Sequence, residues 1–305
     1  MMKYLMILTI SVYLYANSII TPIPTSVKYD KQKALIGKSV FFGKELPENL
    51  YMCHTCHIAK NGMSVDRIIH LTLKGKKVPL SSISLYNRVF NRYYTYEGST
   101  KSLYEIVHKS LHNFEEMKVE HNDFMSMMNS SNYYKEKFRK VFKKEAISSE
   151  MVSQSVTEFI KALITPNAKF DKYLRGEVEL SRDEYEGYLT FKRLGCITCH
   201  NGVNIGGNSF QKLGATVELE YKHTTDRYQI TGDEEDRYTF IVPSLRNIEL
   251  SAPYFHDGRK QTLKDAVSLM SHHNLAYELT AKEKELIVEF LKTLTGELPG
   301  ILNEK

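Results

Sequence analysis

The 305-residue chain has no tryptophan and only four cysteines. Glycine (16) and proline (8) are too few and too scattered for a collagenous or low-complexity tract. No apolar run reaches the ~20 residues a bilayer-spanning helix requires; the longest, Tyr4 to Tyr15, lies at the N-terminus. Neither charge sign dominates: 41 basic against 36 acidic residues give a formal charge of +5. The two signs are interspersed, which argues against the pooled basic stripe of a nucleic-acid binder. Without tryptophan, any aromatic bridge must use other rings, and tyrosine is plentiful at 20. Hydrophobic residues at 42% and charged residues at 25% describe a globular chain, long enough for one large domain or two ordinary ones.

Residues 1–18 combine Lys3, the short apolar run and small residues at Ala16 and Ser18. That is the pattern of a secretory leader cleaved near Ala16 to Ser18, and it points to a periplasmic protein; an uncleaved anchor is the competing reading. In an exported chain four cysteines ordinarily suggest two disulfides. Here the spacing differs. Cys53-His54-Thr55-Cys56-His57 and Cys196-Ile197-Thr198-Cys199-His200 are both C-x-x-C-H and together use every cysteine. This is the attachment motif of haem c: two thiols form thioethers to the vinyl groups and the adjacent histidine ligates the iron. A shared zinc shell needs far closer pairs, disulfides leave both histidines unexplained, and a thioredoxin-type motif has no need of a second copy.

Elsewhere helical signals dominate. Met151, Val152, Val156, Phe159, Ile160 and Leu163 fall on one face of a helix over 148–163. Ser181…Glu184 and Thr280…Glu283 are capping boxes. Lys31 to Phe42, Leu103 to Leu111 and a segment from Leu263 are further helices, while Thr216–Tyr221 and Thr239–Val242 form a small ribbon. The expected fold is mainly α: two cytochrome c-like haem domains, 19–165 and 166–305, with little β structure.

GCITCHNGVNIGGNSFQKLG and TGDEEDRYTFIVPSLRNIELSAPYFHDGRKQTLKDAVSLM closely resemble the second-haem domain of bacterial dihaem cytochrome c peroxidases, the family that includes MauG-type enzymes. In the first half, Ile36-Gly37 with Phe41-Phe42 resembles the family's opening helix. Tyr96-Glu97-Gly98 stands where the family has Trp-Asp-Gly, and Asn113-Phe114-Glu115-Glu116-Met117 where it has Asn-Pro-x-Glu-Met.

The resemblance implies His57 and His200 as proximal ligands. It makes Met270 the sixth ligand of the second haem; taken alone, that methionine reads as helix core. It makes Glu116 the acid–base group at the first haem, with Met117 fixing the register against Glu115. Departures are specific. Ile106 replaces a glutamine, and Leu73 stands where a loop histidine that ligates the resting iron is expected. His70, three positions earlier, is either its substitute or an ordinary partly buried histidine. Tyr96 replaces the tryptophan between the haems, as an electron bridge or as packing. A family calcium site would rest here on Ser81 and the carbonyls of Ser251 and Pro253, a weakened oxygen set. The implied activity is reduction of H2O2 to water with electrons from a small redox protein such as a monohaem cytochrome c, in a family where homodimers are common. A dihaem electron carrier and a MauG-like oxidase are the alternatives; methionine rather than tyrosine at 270 argues against the latter.

Overall fold

The computed structural model describes residues 19–65, 69–73, 76–219 and 225–304, with backbone alone for 69–73 and 76–80; the expected leader lies outside them. The first half comprises α1 (Lys31–Phe41), α2 (Cys53–Cys56), the hairpin β1 (Ile69–Leu73) and β2 (Lys76–Leu80), α3 (Leu103–Leu111), α4 (Phe114–Met117), α5 (His121–Ser130), α6 (Asn132–Phe142) and α7 (Ser149–Lys161). The second holds α8 (Lys169–Leu174), α9 (Arg182–Arg193), β3 (Phe210–Lys212), α10 (Tyr228–Thr231), β4 (Thr239–Ile241), α11 (Leu263–Leu275) and α12 (Ala281–Lys292). About 48% of the chain is helical and 4% strand, a mainly α fold. Both capping boxes form, at Ser181 with Glu184 and at Thr280 with Glu283.

The expected ribbon is half right. β4 forms, but it pairs with β3, Phe210 opposite Ile241, and not with the described residues 216–219. The amides of Thr216 and Val217 instead both donate to the His273 carbonyl at the end of α11, so that stretch is consumed as a helix strap. Residues 220–224 lie outside the described residues. The β1–β2 hairpin, with His70 opposite Pro79, is additional.

Each half is organised by one close helix crossing. α1 meets α7 at Gly37, where a Cβ would fall 1.9 Å from the Ser155 carbonyl oxygen; α9 meets α12 at Gly187, where a Cβ would fall 1.9 Å from that of Leu286. Only glycine allows backbones so near. A second repeated device follows. Ser84-Leu85-Tyr86-Asn87 and Ser244-Leu245-Arg246-Asn247 each end on a left-handed asparagine, φ 62° and 59°, a conformation asparagine tolerates. Asn87 N–H donates to Leu163 O and Asn247 N–H to Leu294 O, just past α7 and α12. Both side-chain amides then converge on Thr165 Oγ1, at 2.7 and 2.8 Å. That hydroxyl, between the halves, locks them in register.

The chain ends cross over. Ile20 packs in the core of the second half beside Phe170 and Phe290, and Ile301 packs beside Phe41 and Phe159 in the first. The N-terminal strap is pinned by Arg246, which donates to Thr21 O (3.0 Å) and pairs with Asp171 at 2.6 Å, with 1% and 0% of the two side chains exposed. Among the described residues no helix is long and apolar enough to cross a membrane.

Candidate active site

The two C-x-x-C-H motifs fold as tight helical turns in different hydrophobic clusters: Cys53 packs with the Phe41–Met63 group and Cys196 with Phe191 and Ile205. None of the four cysteines is in a disulfide. Burial raises the Cys53 thiol to about 12 and that of Cys196 to about 11, so without a metal both are thiols at neutral pH. Among the described residues no three His, Cys, Asp or Glu side chains gather to hold one metal ion.

His57 Nδ1 lies 3.0 Å from the Met63 carbonyl. A carbonyl only accepts, so Nδ1 carries the hydrogen and Nε2 keeps its lone pair. Burial, reinforced by the nearby Arg88 charge, pushes this ring down to about 4. Burial does the same to His200, whose ring lies beside the carbonyls of Ile205 and Pro243; its Nδ1 makes no hydrogen bond of good geometry. Both imidazoles are therefore neutral at neutral pH, the state an iron ligand requires. Cysteines outside any disulfide, neutral histidines and apolar walls fit two thioether-bound haems.

Different groups cover the two motifs. Asn113 caps α4, accepting from the Glu115 amide (3.0 Å) and donating Nδ2 to Glu116 Oε1 (2.8 Å). Glu116 is exposed, and it lies near enough to Cys53 for its charge to act there. Glu115 points elsewhere, to Lys118 at 3.1 Å. The Cα atoms of α4 and β1 approach within 8 Å, bringing the strand of His70 beside the turn of Glu116. The His70 side chain lies outside the described residues. At the second motif α11 takes the covering position. Its Leu263 and Val267 pack on the cluster of Cys196 and Ile197, and Met270, half-buried, continues that face by helical spacing.

Tyr96 sits between the halves. Its hydroxyl donates to Ser81 O (3.2 Å) and its carbonyl accepts from the Ile241 amide of β4 (2.8 Å). Burial holds the phenol neutral, outweighing Arg88. The His256 ring lies edge-on to Tyr96 at 6.1 Å and stacks on Phe240 at 4.3 Å, forming an aromatic column. Ser81 N–H donates to His256 O, so the position of the expected calcium oxygen is at this interface. Sequence reading missed His256 and Arg88. The signal available was the likeness of Tyr96-Glu97-Gly98 to His256-Asp257-Gly258.

Comparisons with known proteins identify the family. Residues 31–179 match the family model described as di-haem cytochrome c peroxidase. The cytochrome c551 peroxidase of Nitrosomonas europaea is 37% identical over 287 residues, 93% of this chain and 86% of that relative. The chain belongs to the dihaem cytochrome c peroxidase family. The Pseudomonas aeruginosa cytochrome c551 peroxidase is 30% identical over 300 residues, 94% of this chain and 87% of its own length. A crystal structure of a MauG-like protein associated with microbial copper homeostasis overlays with a TM-score of 0.74 at 22% identity, covering 92% of this chain and 94% of that one; it supports the fold. The protein is thus a peroxidase-family oxidoreductase with haem cofactors.

Proposed function

We propose that Cys53 and Cys56 hold one haem c and Cys196 and Cys199 a second, in an exported, periplasmic enzyme. It reduces H2O2 to water at the first site, with electrons entering through the second. Bound haem supplies the iron at which the O–O bond breaks and part of the electron store the cleavage consumes. His57 and His200 present neutral Nε2 atoms to the two irons. Met270 offers its thioether at the second, a soft ligand that favours the reduced state.

Glu116 takes the proton from one peroxide oxygen and returns it to the departing one, as general acid–base catalysis requires. The Asn113 amide occupies Oε1 and orients the carboxylate, leaving Oε2 for the substrate. Tyr96 carries electrons between the halves as a neutral ring: its hydroxyl faces a backbone carbonyl, a poor proton acceptor. His70 ligates the first iron at rest. The donor is a small exported redox protein such as a monohaem cytochrome c. A calcium ion held by Ser81 and the carbonyls of Ser251 and Pro253 would brace the interface beside Tyr96.

The observation that carries this reading is the pairing of two C-x-x-C-H motifs with a carboxylate near one and a methionine-bearing helix packed beside the other. The test is peroxide-dependent oxidation of a pre-reduced small cytochrome c by the holoprotein, with and without prior reduction of the second haem. Turnover only after reduction supports a peroxidase whose first site opens on activation; turnover in both conditions removes the role of His70. No turnover with either, both haems intact, leaves an electron carrier and sinks the reading.

A further inference from the structure

Arg88 is a buried cation that meets no acidic partner among the described residues. Only 6% of the residue is exposed. Nη2 donates to the Tyr94 carbonyl at 2.5 Å and the guanidinium lies 5.1 Å from the Tyr94 ring. Among the described residues no carboxylate pairs with it; its titratable neighbours are the phenols of Tyr94 and Tyr96, neutral at neutral pH. Burial brings it down to about 10, which still leaves it protonated at neutral pH. A buried guanidinium without an anion is strongly disfavoured.

Its place is fixed against the first motif. Ser84 Oγ donates to Gly62 O (2.5 Å), Leu85 N–H to Met63 O (3.2 Å) and Tyr86 Oη to Ala59 O (3.0 Å), stitching the segment before Arg88 onto the loop after His57. Its charge reaches His57 itself. The repeated asparagine turn makes the contrast internal. The residue after Asn247 is Ile248, so the second half carries no cation at the equivalent position. The buried arginine it does place beside its own motif, Arg246 on the Val203 carbonyl, is matched by Asp171.

A haem brings two carboxylates, and a guanidinium fork is shaped to hold one. We propose that Arg88 is the cationic partner of a carboxylate of the first haem. The pairing rests on the haem assignment above. It raises that haem's reduction potential, because a nearby positive charge opposes the ferric state, and it keeps the paired carboxylate ionised across neutral pH.

The test uses holoprotein and the variants Arg88→Met, Arg88→Gln and Arg88→Lys. Intact mass first reads haem attached at Cys53 and Cys56; its absence in the wild type overturns the haem assignment itself. With haem attached, spectroelectrochemical titration and resonance Raman judge Arg88 alone. Arg88→Met and Arg88→Gln should lower the first haem's midpoint potential and give it a pH dependence between about pH 5 and 7, where a freed carboxylate protonates. They should also shift the haem propionate bending band, while Arg88→Lys retains most of the wild-type behaviour. Should Arg88→Met fail to fold, Arg88→Gln against Arg88→Lys carries the same contrast. Neutral variants that leave potential, pH profile and Raman band at wild-type values would make Arg88 a packing residue on Tyr94 and overturn the proposal.

Discussion

Around His57 the chain places a hairpin, a four-residue helix bearing Glu116 and a buried arginine that meets no acid among the described residues. Around His200 it places the long helix α11 with Met270, and a buried arginine, Arg246, already matched by a carboxylate. The scaffolding beneath is shared: a helix crossing closed by glycine, a left-handed asparagine and a turn of two cysteines outside any disulfide. In the function proposed above, one architecture carries two chemistries, set by a polar acid-bearing turn on one side and an apolar thioether-bearing helix on the other.

The largest effect should come from the lid. Glu116→Gln is expected to lower peroxide turnover by about 10²- to 10⁴-fold, read as steady-state oxidation of a small cytochrome c. Glu115→Gln, which loses only an exposed pair with Lys118, should stay within about twofold. Equal losses would mean that the register at Met117 is misjudged.

Next comes the ion pair that only the second half owns. Asp171→Asn leaves Arg246 buried without its anion, which should cost about 3–5 kcal/mol in urea unfolding. Since the N-terminal strap is tied to this pair through Thr21 and Ile23, proteolysis of residues 19–23 should accelerate with it. A loss near zero would show that the strap holds without the charge.

A pH effect separates Tyr96 from its counterpart His256. Burial puts the His256 ring down to about 4, against an ordinary value of about 6.5. Between those values the unfolded chain binds a proton that the folded chain refuses, so stability falls as pH drops from about 6.5 to 4 and levels off below. The loss is about 3 kcal/mol. His256→Gln should flatten that stretch of a stability–pH curve in the holoprotein, where His57 and His200 are engaged by iron. An unchanged curve would place the sensitivity elsewhere.

The smallest effects should be the most symmetric. Gly37→Ala and Gly187→Ala each drive a Cβ into a facing carbonyl, and each should cost about 1–3 kcal/mol after any gain in helix propensity. Markedly unequal values, measured by urea unfolding, would break the equivalence of the two crossings.

Much of this was legible along the chain because the signals are local. Capping boxes at Ser181 and Thr280, apolar spacing from Met151 to Leu163, and the adjacency of two cysteines and a histidine each act within a few residues. The phrase from Asn113 to Met117 pointed to Glu116 through its resemblance to the family's phrase, and it folds as one turn with Asn113 as its cap. What was not legible depends on partners far away. β3 is three residues in a glycine-rich stretch, with no periodicity to announce it, and Thr216–Val217 had a helix end to bond to instead. Arg88 and His256 look ordinary in sequence. Only folding brings one beside His57 and the other against Tyr96.

The asymmetry itself is best tested by counting an exogenous ligand. Cyanide titration of the half-reduced holoprotein should end at one equivalent per chain, bound at the haem of Cys53 and Cys56, with the second haem keeping its thioether. Two equivalents, or one that persists after both Cys53→Ser and Cys56→Ser, would contradict the division of labour between the halves.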